Sequence, residues 1–149
     1  MRILQVLGGL NRGGAETLIM NIYRNINRTK VQFDFVIHTK ERGAYYDEII
    51  ALGGKVYHCP KYNGKNHFAY VNWWKNFFKK HTEYSVVHGH VRSTAAIYLK
   101  IARRYNTFAI AHSHSTSAGQ GFSGFVKKIM QFGIRFNADY FLGCSYAAN

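Results

Sequence analysis

Short apolar runs alternate along the chain with longer segments whose apolar residues recur at helical spacing. Residues 3–7 are apolar at four of five positions and end at glycines, which predicts a buried strand. Residues 15–26 carry apolar side chains every three or four positions, which predicts an amphipathic helix. The same reasoning predicts further strands at 31–38, 56–59, 85–88, 108–112 and 140–143. It predicts further helices at 44–52, 67–81 and 122–136, and one that Ser93 caps and that runs to Tyr105.

Strands that alternate with helices predict parallel pairing through right-handed crossovers. We therefore expect an α/β fold with a doubly wound, mainly parallel, Rossmann-like sheet. The 149 residues contain one proline and no linker rich in Gly, Ser or Pro, so a single domain is expected. Sheets of this kind bind ligands beyond the carboxyl ends of their strands, near the point where the strand order reverses. Functional residues are therefore expected in the loops that follow the strands.

The loop after the first strand is rich in glycine and reads GGLNRGG from Gly8 to Gly14. Glycines let the backbone approach a ligand closely, and the next helix presents its first N–H groups to an anion. A phosphate-binding GxxxxGK[ST] loop is disfavoured, because Gly14 and Ala15 stand where that motif needs a lysine and a hydroxyl. A dinucleotide-binding loop is disfavoured too, since GxGxxG is absent and the second strand ends at His38 rather than at an acidic residue. The alternative is a tight turn that holds no ligand.

Two histidine pairs follow neighbouring predicted strands. His88 and His90 straddle the end of the fourth strand, and His112 and His114 straddle the end of the fifth. A spacing of two places both rings of a pair on one side of an extended chain. If the first, fourth and fifth strands are neighbours, both pairs face the glycine loop, where imidazoles can bind hydroxyls or phosphate, or transfer protons. Two alternatives stay open: a zinc site, which no nearby carboxylate completes, and strand-end side chains that bond to neighbouring carbonyls.

The net charge of +13 favours an anionic partner such as a nucleotide, a phospholipid surface or RNA, although it is also compatible with a purely solubilising role. Two segments, 68–81 and 122–136, combine aromatic with basic residues, as helices lying on anionic bilayers do. Packing against the sheet is the stronger interpretation of most of these aromatic residues. Trp73 and Trp74 are expected to be the exception, because adjacent helical residues cannot both face one core.

The two cysteines, Cys59 and Cys144, belong to no CxxC pair and are expected to be free, buried thiols. The chain has no signal-like segment and no apolar run of the roughly 20 residues that span a bilayer. A cytoplasmic protein is therefore expected, with peripheral attachment to a membrane as an option.

Four segments together resemble one family. The opening RILQVLGGLNRGGAETLIMNIYRNI, with GGAE at residues 13–16, is similar to the start of family-4 glycosyltransferases, particularly bacterial enzymes of exopolysaccharide and capsule assembly. YSVVHGH resembles the end of that family's fourth strand, FAIAHSHS the end of its fifth, and ADYFLGCS its sixth. The resemblance covers essentially the whole chain, and the order and spacing of the segments carry it.

The resemblance implies the N-terminal half of a GT-B fold, in which two Rossmann-like domains face each other across a cleft. That half mainly holds the sugar acceptor, a glycan or a polyprenyl-linked molecule, whereas the other half binds the nucleotide-sugar donor and carries an E-x7-E signature. No such signature occurs among the seven acidic residues here, so this chain is not expected to catalyse transfer alone. Transfer is expected to retain the anomeric configuration, with no metal, cofactor or nucleic acid involved.

The resemblance also implies roles for particular residues. His112 and His114 are the candidate catalytic residues, and the doubled HSHS sequence leaves open which ring is functional. The candidates for acceptor binding are His90, Ser113 and Asn11. Gly13 and Gly14 are expected to line the donor-phosphate side of the cleft.

Overall fold

A computed structural model describes residues 1–113 and 132–143. Its strands are β1 (Arg2–Leu7), β2 (Gln32–Ile37), β3 (Val56–His58), β4 (Tyr84–Gly89), β5 (Phe108–Ser113) and β6 (Tyr140–Gly143). Its α-helices are α1 (Gly14–Asn25), α2 (Tyr46–Ala51), α3 (His67–Lys80) and α4 (Ala95–Arg104). A 3₁₀ helix, Gly133–Phe136, precedes β6.

The six strands form one parallel sheet in the order β3-β2-β1-β4-β5-β6. The chain starts at the centre of the sheet, builds outwards to β3, then crosses back to add β4 on the other side of β1. Right-handed crossovers in opposite directions put helices on both faces. The predicted doubly wound, Rossmann-like α/β fold is thereby confirmed, and the strand order reverses between β1 and β4.

Two apolar clusters fill the space between sheet and helices. On one face, α1 and α2 cover β1 and β2 through a cluster that includes Leu7, Ile19, Tyr23, Phe35 and Ile49. On the opposite face, α3 and α4 cover β1, β4 and β5 through a larger cluster rich in aromatic rings. Cys59 belongs to this second cluster as a free buried thiol, as predicted, and burial raises its pKa. Cys144 lies outside the described residues.

Helix α3 places its aromatic residues mainly in the core, as the periodicity predicts. Trp74 is fully buried and stacks on Phe78 and Tyr98. The expectation that Trp73 and Trp74 could not both pack inward was wrong, because Trp73 lies half-buried at the margin of the cluster and stacks on Phe77. A wide apolar face therefore accommodates two adjacent large rings.

Three predicted helix starts differ from the observed ones. Helix α1 begins at Gly14, one residue earlier than predicted. The N-cap of α4 is Thr94 rather than Ser93, and its side chain makes no capping hydrogen bond. Helix α2 begins at Tyr46, two residues later than predicted. Before it, Gly43 lies against the backbone of Leu10, where a Cβ atom would meet the Leu10 carbonyl carbon at 2.5 Å. Most of the helix predicted at 122–136 lies outside the described residues, and its described end is the 3₁₀ helix.

A buried carboxylate joins three strands at the amino end of the sheet. Asp34 on β2 accepts two hydrogen bonds from the Arg2 guanidinium, at 2.7 and 2.6 Å. The same carboxylate accepts a hydrogen bond from the Tyr84 hydroxyl on β4 at 2.8 Å and one from the Lys55 backbone N–H at 2.7 Å. Asp34 therefore links β1, β2 and β4, the three strands on which the order reversal depends.

We predict that Asp34→Ala lowers the free energy of unfolding by about 3 kcal/mol, because it leaves buried donors without their acceptor. This loss of stability is at the low end of the range for breaking a buried ion pair, since Arg2 stays partly exposed to water. Denaturant unfolding of the chain measures the change. Asp47→Ala, which removes a carboxylate from an exposed pair with Arg42, is the control and should change stability little. Equal losses in the two variants would contradict the linking role.

Candidate functional site

The carboxyl edge of the sheet next to β1 is the place where chemically useful side chains collect. β1 pairs with β2 on one side and with β4 on the other, and the helices that follow these strands leave on opposite faces. Helices α1 and α2 follow β1 and β2 on one face and α4 follows β4 on the other, so the loops after β1 and β4 diverge and leave a crevice between them. The crevice is the expected ligand site of this fold.

The glycine loop forms one border of the crevice. Gly13 is the N-cap of α1, and its N–H donates to the Asn11 carbonyl at 2.8 Å, which closes a tight turn. A Cβ atom added at Gly8 or Gly14 would meet no described atom within 4 Å, so packing among these residues does not require glycine there. The loop therefore leaves room beside Gly8 and Gly14, whereas the Glu16 carboxylate lies against Gly13 at the start of the 12-residue helix.

His38 lies at the end of β2 under the crevice and is almost fully buried. Its Nδ1 lies 3.2 Å from the Leu7 carbonyl oxygen, which can only accept, so Nδ1–H donates. Its Nε2 then accepts from the Tyr70 hydroxyl at 2.7 Å. Burial lowers the pKa of His38, and both contacts are compatible with a neutral ring.

A cleft of about 380 Å³ opens at this edge. Residues that follow four different strands line it: Gly8, His38, Thr39, Lys61, Tyr62, Val91, Ser93 and Thr94. The Lys61 ammonium and the start of α4 give the cleft positive character, and Tyr62 supplies an aromatic wall. An anionic or hydroxyl-rich ligand suits this lining.

Three imidazoles meet beside the crevice, on β4 and β5. The ring centroids of His88 and His90 are 4.2 Å apart, and each lies 5.2 Å from that of His112. His88 Nε2 is 3.1 Å from His112 Nδ1, so one ring donates a hydrogen bond and the other accepts it. We name these three residues the histidine cluster.

Parallel pairing explains the cluster. Gly89 is in register with Ala111, so the next residues along, His90 and His112, come to lie side by side. β1 adds Gln5, which is buried and whose Oε1 lies 3.0 Å from His90 Nε2. Since an amide oxygen only accepts, His90 Nε2–H donates, and in the neutral ring Nδ1 carries the lone pair. The predicted convergence of imidazoles at one edge is confirmed for these three rings.

Other predicted site residues are placed differently. His114 lies outside the described residues. Ser113 follows His112 on β5, so strand alternation points its side chain to the opposite face of the sheet. Asn11 is exposed, and its side-chain oxygen accepts a hydrogen bond from the Ala44 N–H at 3.2 Å, which ties two loops together. Sequence reasoning also missed the inward position of His38, which its place at the end of a central strand could have indicated.

Comparison with known proteins identifies the family. The sequence profile of Glycosyltransferase Family 4 matches residues 12–148. The chain belongs to glycosyltransferase family 4.

Two relatives place this family-4 domain in context. The EpsF protein of Bacillus subtilis (strain 168), which is assigned as a glycosyltransferase, is 38% identical over 123 residues, covering 82% of this chain and 32% of EpsF. The chain thus spans about a third of the length of this curated relative. The crystal structure of MurG from Acinetobacter baumannii, a GT-B fold, is similar with a TM-score of 0.64 at 12% identity, covering 99% of this chain and 42% of MurG. This likeness supports the fold alone.

Within residues 1–113 and 132–143 of this family-4 domain, no helix is long and apolar enough to cross a membrane.

The buried His38 predicts a specific pH dependence of stability. Because folding lowers the pKa of His38, the unfolded chain binds more protons than the folded chain below about pH 6.5. The contribution of His38 to the free energy of unfolding is therefore complete above that pH, and it is lost as the pH falls towards the pKa of the folded state. His38→Gln, which can donate to Leu7 and accept from Tyr70 without titrating, should flatten the fall in unfolding free energy between about pH 7 and 5. Denaturant unfolding at a series of pH values measures the slope.

The matched control is Asn76→Gln, a polar change at an exposed position of α3 that adds and removes no titrating group, so the slope should stay as in the wild type. A His38→Gln slope equal to that of the wild type would contradict the assignment of a buried, neutral ring. Only slopes are compared, so a general loss of stability in either variant does not affect the conclusion.

Proposed function

We propose that this chain is the acceptor-binding domain of a glycosyltransferase that moves a sugar from a nucleotide-sugar donor to a glycan or polyprenyl-linked acceptor. The observation that carries the proposal is the carboxyl edge of the sheet, where the histidine cluster gathers on one face and a cleft that Gly8 of the glycine loop lines opens on the other. Imidazole nitrogens recognise sugar hydroxyls because the ring offers one donor and one acceptor in fixed directions.

The geometry supports distinct roles within this site. Gln5 fixes the orientation of His90. The Nδ1 atom of His90 is proposed to accept a hydrogen bond from a hydroxyl group of the sugar acceptor. His112 and His114 are proposed to contact the reacting groups, with His112 held by its hydrogen bond to His88. Asn11, in the loop after β1, and Ser113, the last residue of β5, are proposed to bind the acceptor as well.

Gly13 and Gly14 are proposed to face the donor phosphates. They begin α1, whose first N–H groups and positive dipole end favour an anion. The donor would be held mainly by a second domain, so the chain alone is proposed to be inactive. We further propose transfer of a hexose with retention, without a metal or other cofactor, on the cytoplasmic side in exopolysaccharide or capsule assembly.

The catalytic assignment predicts the effect of two substitutions. In the intact protein, His112→Ala or His114→Ala should lower kcat/KM for sugar transfer at least about tenfold, the cost of roughly one hydrogen bond lost from the transition state. A transfer assay with the nucleotide-sugar donor measures the effect. His81→Ala, at the C-cap of α3 and just before β4 at the amino edge of the sheet, is the control. Unchanged turnover in both test variants would remove the catalytic assignment.

A membrane surface is a second candidate partner, because one aromatic residue departs from the core pattern of α3. Phe68 in the first turn is 83% exposed, and the exposed Lys61 and Lys65 precede it. An exposed aromatic next to basic residues on a chain of net charge +13 suits an anionic bilayer, where a polyprenyl-linked acceptor would reside.

If this surface docks on lipid, Phe68→Ser should weaken binding to vesicles that contain anionic phospholipid by about tenfold, since burial of a phenylalanine side chain contributes about 1.5–3 kcal/mol. Vesicle flotation measures binding. Phe108→Ser changes an exposed phenylalanine at the amino edge of the sheet and should have little effect. Absence of retention on anionic vesicles at low salt would exclude the membrane as a partner.

A further inference from the structure

The histidine cluster has the composition and spacing of a metal-ion site. One ring nitrogen from each of His88, His90 and His112 lies within 4.8 Å of the other two. The closest pair, His88 Nε2 and His112 Nδ1, is 3.1 Å apart. Two imidazole nitrogens bound to one tetrahedral Zn²⁺ at about 2.0–2.1 Å are separated by roughly 3.3 Å, so this pair already has nearly the required spacing.

We propose that His88, His90 and His112 bind a late divalent transition-metal ion such as Zn²⁺. Three neutral imidazoles suit zinc, copper, nickel and cobalt, whereas Mg²⁺ and Ca²⁺ prefer oxygen ligands that this group does not contain. Three protein ligands leave a fourth tetrahedral position for water or for a ligand hydroxyl.

Gln5 adds the outer contact that metal-binding histidines usually make. A ligating ring normally donates its second N–H to an oxygen of the protein, which fixes the tautomer and the ring orientation. His90 Nε2–H donates to Gln5 Oε1 at 3.0 Å, and Gln5 is only 1% exposed and therefore held in place. His90 consequently offers Nδ1 to the ion, while Gln5 stays outside the coordination sphere.

Ion binding requires a small rearrangement of the other two rings. The His88 and His112 planes differ by 3°, and a single proton lies between the facing nitrogens. When the ion binds, the ring that donates this hydrogen bond would move its proton to its other nitrogen through water and stay neutral, and both rings would tilt so that their in-plane lone pairs point at the ion. Affinity should therefore fall at acid pH, because protons compete with the ion for the same nitrogens.

The inference goes beyond the proposed function and does not require it. Transfer is proposed to proceed without a metal, so a bound ion would act as an inhibitor by occupying nitrogens that the acceptor would use. This consequence rests on the proposed function, whereas ion binding does not. The test accordingly measures binding to the chain rather than activity.

Titration of the metal-free chain with Co²⁺, followed by visible absorption, and with Zn²⁺, followed by calorimetry, tests the site directly. We expect one ion per chain. Single alanine substitutions at His88, His90 or His112 should each weaken affinity at least about tenfold, and Gln5→Leu by about 10- to 100-fold although all three rings remain. His67→Ala is the matched control and should bind as the wild type does.

Imidazole ¹H–¹⁵N correlation spectra of the wild-type chain keep the test independent of how well the variants fold. One equivalent of Zn²⁺ should shift the ring signals of His88, His90 and His112 and leave those of His58 and His67 in place. Absence of stoichiometric binding would overturn the proposal. So would ring shifts confined to other histidines, or folded cluster variants that bind as tightly as the wild type.

Discussion

The parallel pairing of β1 with both β2 and β4 is the constraint on which the rest of this structure depends. Because the chain begins at the centre of its sheet and is extended in both directions, three carboxyl strand ends meet at a single edge. At the opposite edge, Asp34 joins the same three strands through Arg2 and Tyr84. The fold is thus held together at its amino edge and left open for ligands at its carboxyl edge.

The open edge divides into two connected parts. The cleft lies on the face covered by α3 and α4, where burial lowers the pKa of His38 and its ring contacts Leu7 and Tyr70. By strand alternation, the histidine cluster lies on the opposite face together with Gln5, and Val91 links the two parts because it follows His90 and lines the cleft. Both parts are built from residues that strand register brings together. Their geometry therefore depends on the sheet more than on the loops.

Local pattern was sufficient to predict the strands, the doubly wound order and the convergence of the imidazoles, because each follows from residues close in sequence or from the topology rules of α/β sheets. The contacts that orient the site were beyond prediction. Gln5 reaches His90 across 85 positions, and Tyr70 reaches His38 across 32. The start of α4 was misplaced by one residue, since Ser93 and Thr94 are both plausible caps.

The central claim is that His88, His90 and His112 lie together at the carboxyl edge, with Gln5 beside them. Nuclear Overhauser contacts between assigned imidazole protons of the chain in solution test this claim most directly. We expect cross-peaks among all three rings and between His90 and the Gln5 side chain. Rings that show contacts with residues of the amino edge, such as Tyr84, and none with each other would contradict it.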